Sequence, residues 1–202
     1  IVNTVGPYTI PSDAGEIIIV NSSHIGLTNL NLSYADVGLE VVYAEDIQVE
    51  NSTMNNNTWG VYCYYSSDIV ICDCAISQND EDGIICSDSS GITISKCTIS
   101  QNDEDGIICS DSSGITISEC TISQNGGYGV YCECSLSITI TDNTFVQDGI
   151  CLYGYELHHY ASHVIENNTI NDKPSYYIVN TVGPYTIPSD AGEIIIVNSS
   201  HI

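Results

Sequence analysis

The string NDEDGIICSDSSGITIS stands at residues 79–95 and again, unchanged, at 102–118, an offset of 23. Relaxing strict identity extends the period in both directions. Gly38, Gly60, Gly83, Gly106 and Gly129 fall 22, 23, 23 and 23 residues apart. A unit this short cannot bury an apolar face alone, so copies of it must stack on one another.

Within a unit, apolar residues alternate and then slip by one, as in Ile84/Cys86 and Ile92/Ile94 followed by Cys97/Ile99. Period-two pairs separated by a slip read as short strands joined at corners. No 3.6-residue pattern persists, and β-branched residues dominate, which excludes a helical repeat. The sequence therefore predicts an all-β fold, a right-handed parallel β-helix (β-solenoid) of about seven rungs of 22–23 residues. At roughly 4.8 Å per rung its length is about 34 Å.

Equivalent residues should form vertical columns. Ile17, Leu39, Val61, Ile84, Ile107, Val130 and Ile150 make one inward column. Ile19, Val41, Cys63, Cys86, Cys109, Cys132 and Leu152 make the next. Leu30, Ser52, Cys74, Cys97, Cys120, Asn143 and Asn168 follow a corner, and two polar columns, Asn57 to Asn125 and Ser66 to Ser135, also face inward. Stacked amides and hydroxyls at corners satisfy the backbone of neighbouring rungs.

A second, longer period overlies the first. Residues 1–25 reappear without change at 178–202, an offset of 177. The sequence is thus read as a single module spanning 1–202, part of a longer tandem array, with neither end carrying a polar cap over the last rung. The expected partners are further copies of the module, met end to end or side by side.

Charge narrows the partners further. Two basic residues, Lys96 and Lys173, stand against 26 acidic ones, a formal charge of −24. That excludes nucleic acid and an anionic membrane surface. No apolar run is long enough for membrane insertion in this segment. At 43% hydrophobic residues the chain is too apolar for a disordered acidic tail. The acidic turns Asp80-Glu81-Asp82 and Asp103-Glu104-Asp105 must stack one rung apart. Like charges about 5 Å apart cost roughly 0.8 kcal/mol per pair even in water. They form either a solvated face or carboxylate sites that bridge rungs through calcium, the one cofactor considered; none is required.

Cysteine is abundant, at ten. Seven fall in inward columns, where they read as small apolar filler or as vertical disulfides. Cys72, Cys134 and Cys151 point outward by parity and would suit bridges between rods. Catalysis finds little support. Arg is absent, no carboxylate pair stands out from the repeats, and a catalytic constellation should break the repeat locally. Tyr is abundant, at 14. Tyr62 and Tyr131 point out from one column with Tyr64 flanking, a face that could stack on glycans or merely suit a strand surface. N-x-S/T sequons begin at Asn21, Asn31, Asn51, Asn56, Asn167 and Asn198 and would face outward if glycosylated.

One segment is more specific than the rungs. Tyr155, Glu156, Leu157, His159 and His163, then Lys173, Pro174, Tyr176 and Tyr177, then Thr186 to Gly192 (repeated at Thr9 to Gly15), resemble the linker rung of NosD-like right-handed β-helix proteins of archaeal cell-surface type. These are also grouped as carbohydrate-binding and sugar-hydrolase β-helices. The pattern's Trp is Tyr160 here, and its Gly before Lys-Pro is Asp172. The resemblance implies the fold, export and an extracellular or cell-surface location, and a link to copper supply in the founding member. His159 and His163 with Cys151 would be the corresponding copper ligands; otherwise the cluster of His158, His159 and His163 is a packing device. The expected function is a non-catalytic structural module of a surface layer, sheath or fibre. The alternatives are a carbohydrate-binding β-helix module and a NosD-like copper-handling protein.

Overall fold

The computed structural model describes residues 1–6, 10 and 14–202. Residues 7–9 and 11–13, within and beside the first copy of the Thr9–Gly15 motif, lie outside the described residues. The chain winds into a parallel β-solenoid with three sheets. The first sheet has seven strands, Ile17–Val20, Val37–Val42, Trp59–Tyr64, Ile84–Ser87, Ile107–Ser110, Val130–Glu133 and Ile150–Tyr153. The second also has seven, and the third continues into the C-terminal segment as nine.

Register follows the sequence period. Ile84 and Cys86 pair with Ile107 and Cys109 on one side and with Val61 and Cys63 on the other. The predicted apolar columns fill the interior, and Ile19, Leu39, Val61, Ile84, Ile107 and Val130 are buried. Leu152 is only half-buried.

The one-residue slips are left-handed residues. Asp73, Lys96 and Glu119 have φ of 52°, 53° and 54° at one corner, and Gln78, Gln101 and Gln124 have 57°, 57° and 59° at the next. Such a residue turns the chain without a loop, which is why three strands fit in 23 residues. The residue after each corner turns its backbone N–H toward a side chain of the next rung.

Side chains one rung on accept those groups. The Asn79 N–H and Nδ2 both donate to Asn102 Oδ1, at 3.2 and 2.8 Å. Asn102 does the same to Asn125, whose own N–H and Nδ2 reach Asp148. The Ser66, Ser89 and Ser112 N–H groups donate to Ser89, Ser112 and Ser135. We expect Asn102→Ala to cost about 2 kcal/mol in urea unfolding, because it strands the Asn79 N–H in the core.

The corner at Asp73, Lys96 and Glu119 refines the reading of cysteine. Cys97 lies in the column of Ser52 and acts like it: the Cys97 N–H donates to Cys120 Sγ at 3.4 Å, and Cys97 Sγ–H donates to the Ser95 carbonyl at 3.2 Å. Only Cys63, Cys86, Cys109 and Cys132 are plain apolar filler, buried between Val41 and Leu152. All ten cysteines are free thiols.

The far end is not bare, contrary to the expectation from sequence. Lys173–Val179 runs antiparallel to Thr169–Ile170 and then pairs in parallel with Glu193–Val197. Glu193 Oε1 accepts the Ile150 N–H at 3.0 Å, closing the edge of the first sheet. The Tyr177 hydroxyl donates to the Tyr160 carbonyl across the last rung. No helix is long and apolar enough to cross a membrane among the described residues.

Candidate functional site

The outer surface of the first sheet is where the rungs stop being alike. Residues at odd offsets from the inward column face solvent there, so Tyr62, Ile85, Ile108, Tyr131 and Cys151 stack in register. A second outward column holds Tyr64, Ser87, Ser110, Glu133 and Tyr153. A third column, two residues before the inward one, is made by the residues immediately before the glycines: Trp59 and Asp105 are half-buried, Asp82 is buried and Tyr128 is exposed.

That third column sets the chemistry. Two carboxylates in the middle rungs are flanked by an aromatic pair on each side. Trp59 and Tyr62 have ring centroids 6.2 Å apart at one end, and Tyr128 and Tyr131 are 5.7 Å apart at the other. The distance from the Trp59 rung to the Tyr128 rung is three rungs, about 14 Å. Aromatic stacking continues along the Trp59 rung to its corner, through Tyr64 (6.0 Å from Tyr62) and Tyr65, which lies 5.3 Å from Tyr43 in near-parallel stacking. A cleft of about 640 Å³ opens beside Tyr43 and Tyr65, floored by Ser22, Ser23 and Ala44.

The carboxylates are wired into the backbone. Asp82 Oδ1 accepts the Asp105 N–H at 2.9 Å, and Asp105 Oδ1 accepts the Tyr128 N–H at 2.5 Å. Each side chain is thereby held against the sheet rather than free in solvent. Burial raises the Asp82 pKa to about 6, opposed by the Asp105 N–H and reinforced by the charges of Asp105, Glu81 and Glu104. Asp105 is raised for the same leading reason. Burial, followed by Glu133, pushes the Tyr131 hydroxyl up to about 12, so this ring stays neutral.

Other residues singled out from sequence are dispersed. Asp80, Glu81, Asp103 and Glu104 stack as expected, with the Glu104 N–H donating to the Glu81 carbonyl at 3.1 Å, and remain exposed. Only Asp82 and Asp105 of those six turn onto the sheet. His159 Nδ1 accepts the Tyr155 and Glu156 N–H groups at 3.2 and 3.3 Å. His163 is buried, its Nδ1 accepting the Ile138 N–H at 3.2 Å and its Nε2 facing the His159 carbonyl at 2.8 Å. Both rings thus spend nitrogen atoms on folding the loop, while Cys151 sits on the outer face of the first sheet. Among the described residues no three His, Cys, Asp or Glu side chains converge as a metal-ligand set.

The sequence profile of the right handed beta helix region matches residues 15–170. The chain belongs to the right-handed β-helix family. No curated protein matches it in sequence. Among solved structures it is similar to the A-module of mannuronan C-5 epimerase AlgE4 of Azotobacter vinelandii (16% identity, TM-score 0.56, 90% of this chain and 61% of that one). It is also similar to a periplasmic alginate epimerase, AlgG (17%, 0.56, 90% and 49%). An alginate lyase from Paenibacillus sp. str. FPU-7 matches over 98% of both chains at 12% identity and a TM-score of 0.52. This β-helix spans about half to three-fifths of the length of the two epimerases.

These findings correct two expectations, that the chain is a non-catalytic structural module and that it is not an enzyme. A regular repeat does leave room for a site. Solved rods of the same winding are polysaccharide epimerases and a lyase, and here the irregularity lies on the outside of a regular interior. The inward columns hide it. The signal available in sequence was the residue preceding each glycine, which changes from Trp59 to Asp82, Asp105 and Tyr128 while its neighbours repeat.

Proposed function

We propose that the outer face of the first sheet binds an extended polysaccharide and acts on it between the two aromatic pairs. The observation that carries this is the column Trp59, Asp82, Asp105, Tyr128, with Tyr62 and Tyr131 beside its ends. Aromatic rings present flat apolar faces that match the apolar faces of pyranose rings. Two carboxyl groups between them, one with its pKa raised to about 6, are what glycosidic cleavage requires. Asp82 is the proton donor in this reading, and Asp105 is the carboxylate that activates water or attacks.

Electrostatics selects the glycan. The face carries no cation, since Lys96 lies at the corner between the second and third sheets and Lys173 at the far end. A surface with a formal charge of −24 repels a polyuronate. The polysaccharide is therefore uncharged, which separates this chain from the alginate enzymes it resembles in fold. The six sequon asparagines are all exposed, and together with the Tyr155–His163 motif they support a NosD-like protein working at the cell surface.

Pull-down and affinity electrophoresis with insoluble and soluble glycans test the reading. An uncharged β-glucan, xylan or mannan should bind, and alginate should not. Trp59→Ala and Tyr128→Ala should each weaken binding about tenfold, the value of one well-placed ring. Alginate binding as tight as that of any uncharged glycan, or wild-type affinity in both variants, overturns it.

A further inference from the structure

The aromatic surface of the first sheet has two arms. One runs along the rod axis, from Trp59 and Tyr62 to Tyr128 and Tyr131. The other runs across the rod, along the Trp59–Tyr64 strand and over its corner. Tyr62 and Tyr64 lie 6.0 Å apart with their planes 10° from parallel, and Tyr64 meets Tyr65 edge-on at 4.4 Å. Tyr65 stacks on Tyr43 of the preceding rung at 5.3 Å and 8°, and Tyr43 also meets Tyr64 at 6.2 Å.

This corner is built against local preference. Asn21, Tyr43, Tyr65, Asp88, Asp111 and Cys134 form one left-handed column, with φ between 46° and 51°. Asn and Asp tolerate that conformation because their short polar side chains hydrogen-bond locally, whereas a bulky residue there is an outlier. Two consecutive rungs nevertheless place tyrosine in it, and both residues are exposed, Tyr43 at 57% and Tyr65 at 47%. Packing of the fold does not account for them, and strain of this kind gathers where a ligand is held. The two rings wall the cleft of about 640 Å³ floored by Ser22, Ser23 and Ala44, with Glu45 and Ser67 also lining it. A flat apolar wall over hydroxyl groups matches a sugar ring, which is apolar on its face and polar at its edge.

We propose that this corner holds a side branch of the glycan. The main chain lies along the rod axis, and a short uncharged branch leaves it near Tyr62, passes Tyr64 and seats its last sugar in the cleft at Tyr43 and Tyr65. This rests on the polysaccharide-binding face proposed above and narrows its substrate class to a branched polymer. The two arms meet at Tyr62 at a steep angle, because strands run across a solenoid while columns run along it. A branch point supplies that angle, and an extended main chain does not. The branch carries no acid group. Glu40 stands beside Tyr62 in the adjacent rung, Glu45 lines the cleft, and Asp88 follows Tyr65 in the corner column. A uronate there would meet like charge on every side.

Calorimetric titration of the full chain with matched oligosaccharide pairs tests this: mannan with and without galactose branches, xylan with and without arabinose, and β-glucan with and without xylose. In at least one pair the branched member should bind about tenfold tighter, the value of one well-placed ring. Tyr43→Asn and Tyr65→Asn put at the corner the residue that Asn21 already puts there, so both variants should fold, with Tm unchanged or higher. Each should abolish the preference for the branched member and leave the affinity of the linear member as it was. Trp59→Ala should weaken both members alike. Equal binding of linear and branched members by the wild type, or a preference that survives in both variants, overturns the branch site and leaves the glycan-binding face standing. Weaker binding of the linear member in the two variants also overturns it, since the corner would then belong to the main-chain path. Binding of no member of any pair overturns both.

Discussion

Gly83→Ala is expected to cost at least about 3 kcal/mol, despite adding a single methyl group. A Cβ at this position would stand 2.5 Å from the Gly106 carbonyl oxygen, 2.8 Å from Asn102 Nδ2 and 3.0 Å from Ile99 Cγ2. The first of these cannot retreat, because the same oxygen accepts the Ile84 N–H at 3.0 Å and holds two rungs together. The second belongs to the asparagine ladder. Relief at one rung therefore moves the strain to the next. Gly26→Ala is the control: its Cβ would meet nothing within 4 Å, and its φ is not in the left-handed region. It should leave stability unchanged or raise it by up to about 1 kcal/mol. Urea midpoints for the two variants decide the matter, and equal midpoints would refute the steric account.

Gly83 also explains why so much of the interior was legible in the sequence. Its column, the isoleucine columns and the Asn and Ser ladders each repeat at 22–23 residues because every rung meets the same neighbours above and below. An inward position is constrained twice over, by the core and by the stack. Outward positions carry no such constraint, so Trp59, Asp82, Asp105 and Tyr128 share a column without sharing a chemistry. Parity arithmetic from Ile84 finds Tyr62 and Tyr131, one residue on from the inward Val61 and Val130. It missed the position before the glycine, where strand alternation begins only in the rungs with longer strands, such as Trp59–Tyr64.

Asp82 and Asp105 are legible as members of acidic turns but not as the carboxyl groups of those turns that pack onto the sheet. That distinction depends on which member of Asp80-Glu81-Asp82 turns onto the sheet, and the turn conformation settles it. The cap was missed for a related reason. Residues 178–202 match 1–25, so they read as the start of another rung. The reversal at Lys173 that folds them back over Ile150 and Ile170 comes from a two-residue antiparallel pairing with no repeat to announce it. Burial alone does not show what cysteine does at the Lys96 corner. Its hydrogen bonds show that Cys97 replaces Ser52 in role as well as in place.

Asp82→Asn should stabilise the protein at neutral pH and abolish the glycan cleavage proposed above. In the folded chain the Asp82 carboxyl has its pKa raised from 3.8 to about 6. Between those values the folded state binds a proton that the unfolded state has released. Stability from this group is therefore fully present below about pH 4 and is lost as pH rises through 6. Asp105, Asp148 and Glu193 are raised too, each chiefly by burial, and add to the same trend. Allowing for solvent screening, Asp82 alone contributes about 1–2 kcal/mol, or a few degrees in Tm for a chain of this length. Wild-type Tm should therefore climb as pH is lowered from 7.5 to 5. In Asp82→Asn the climb should be smaller and the Tm at pH 7.5 higher, since the amide oxygen still accepts the Asp105 N–H without repelling its carboxylate. Under the proposed function the same substitution removes the proton donor, so release of reducing ends from a bound glycan should fall at least about 100-fold. Glycan affinity should not change, because Trp59, Tyr62, Tyr128 and Tyr131 are untouched. A variant that is more stable, binds normally and no longer cleaves is the signature of a carboxyl held on this face at a cost in stability. Full activity in Asp82→Asn would remove Asp82 from the chemistry, and a Tm independent of pH between 5 and 7.5 would remove its buried proton.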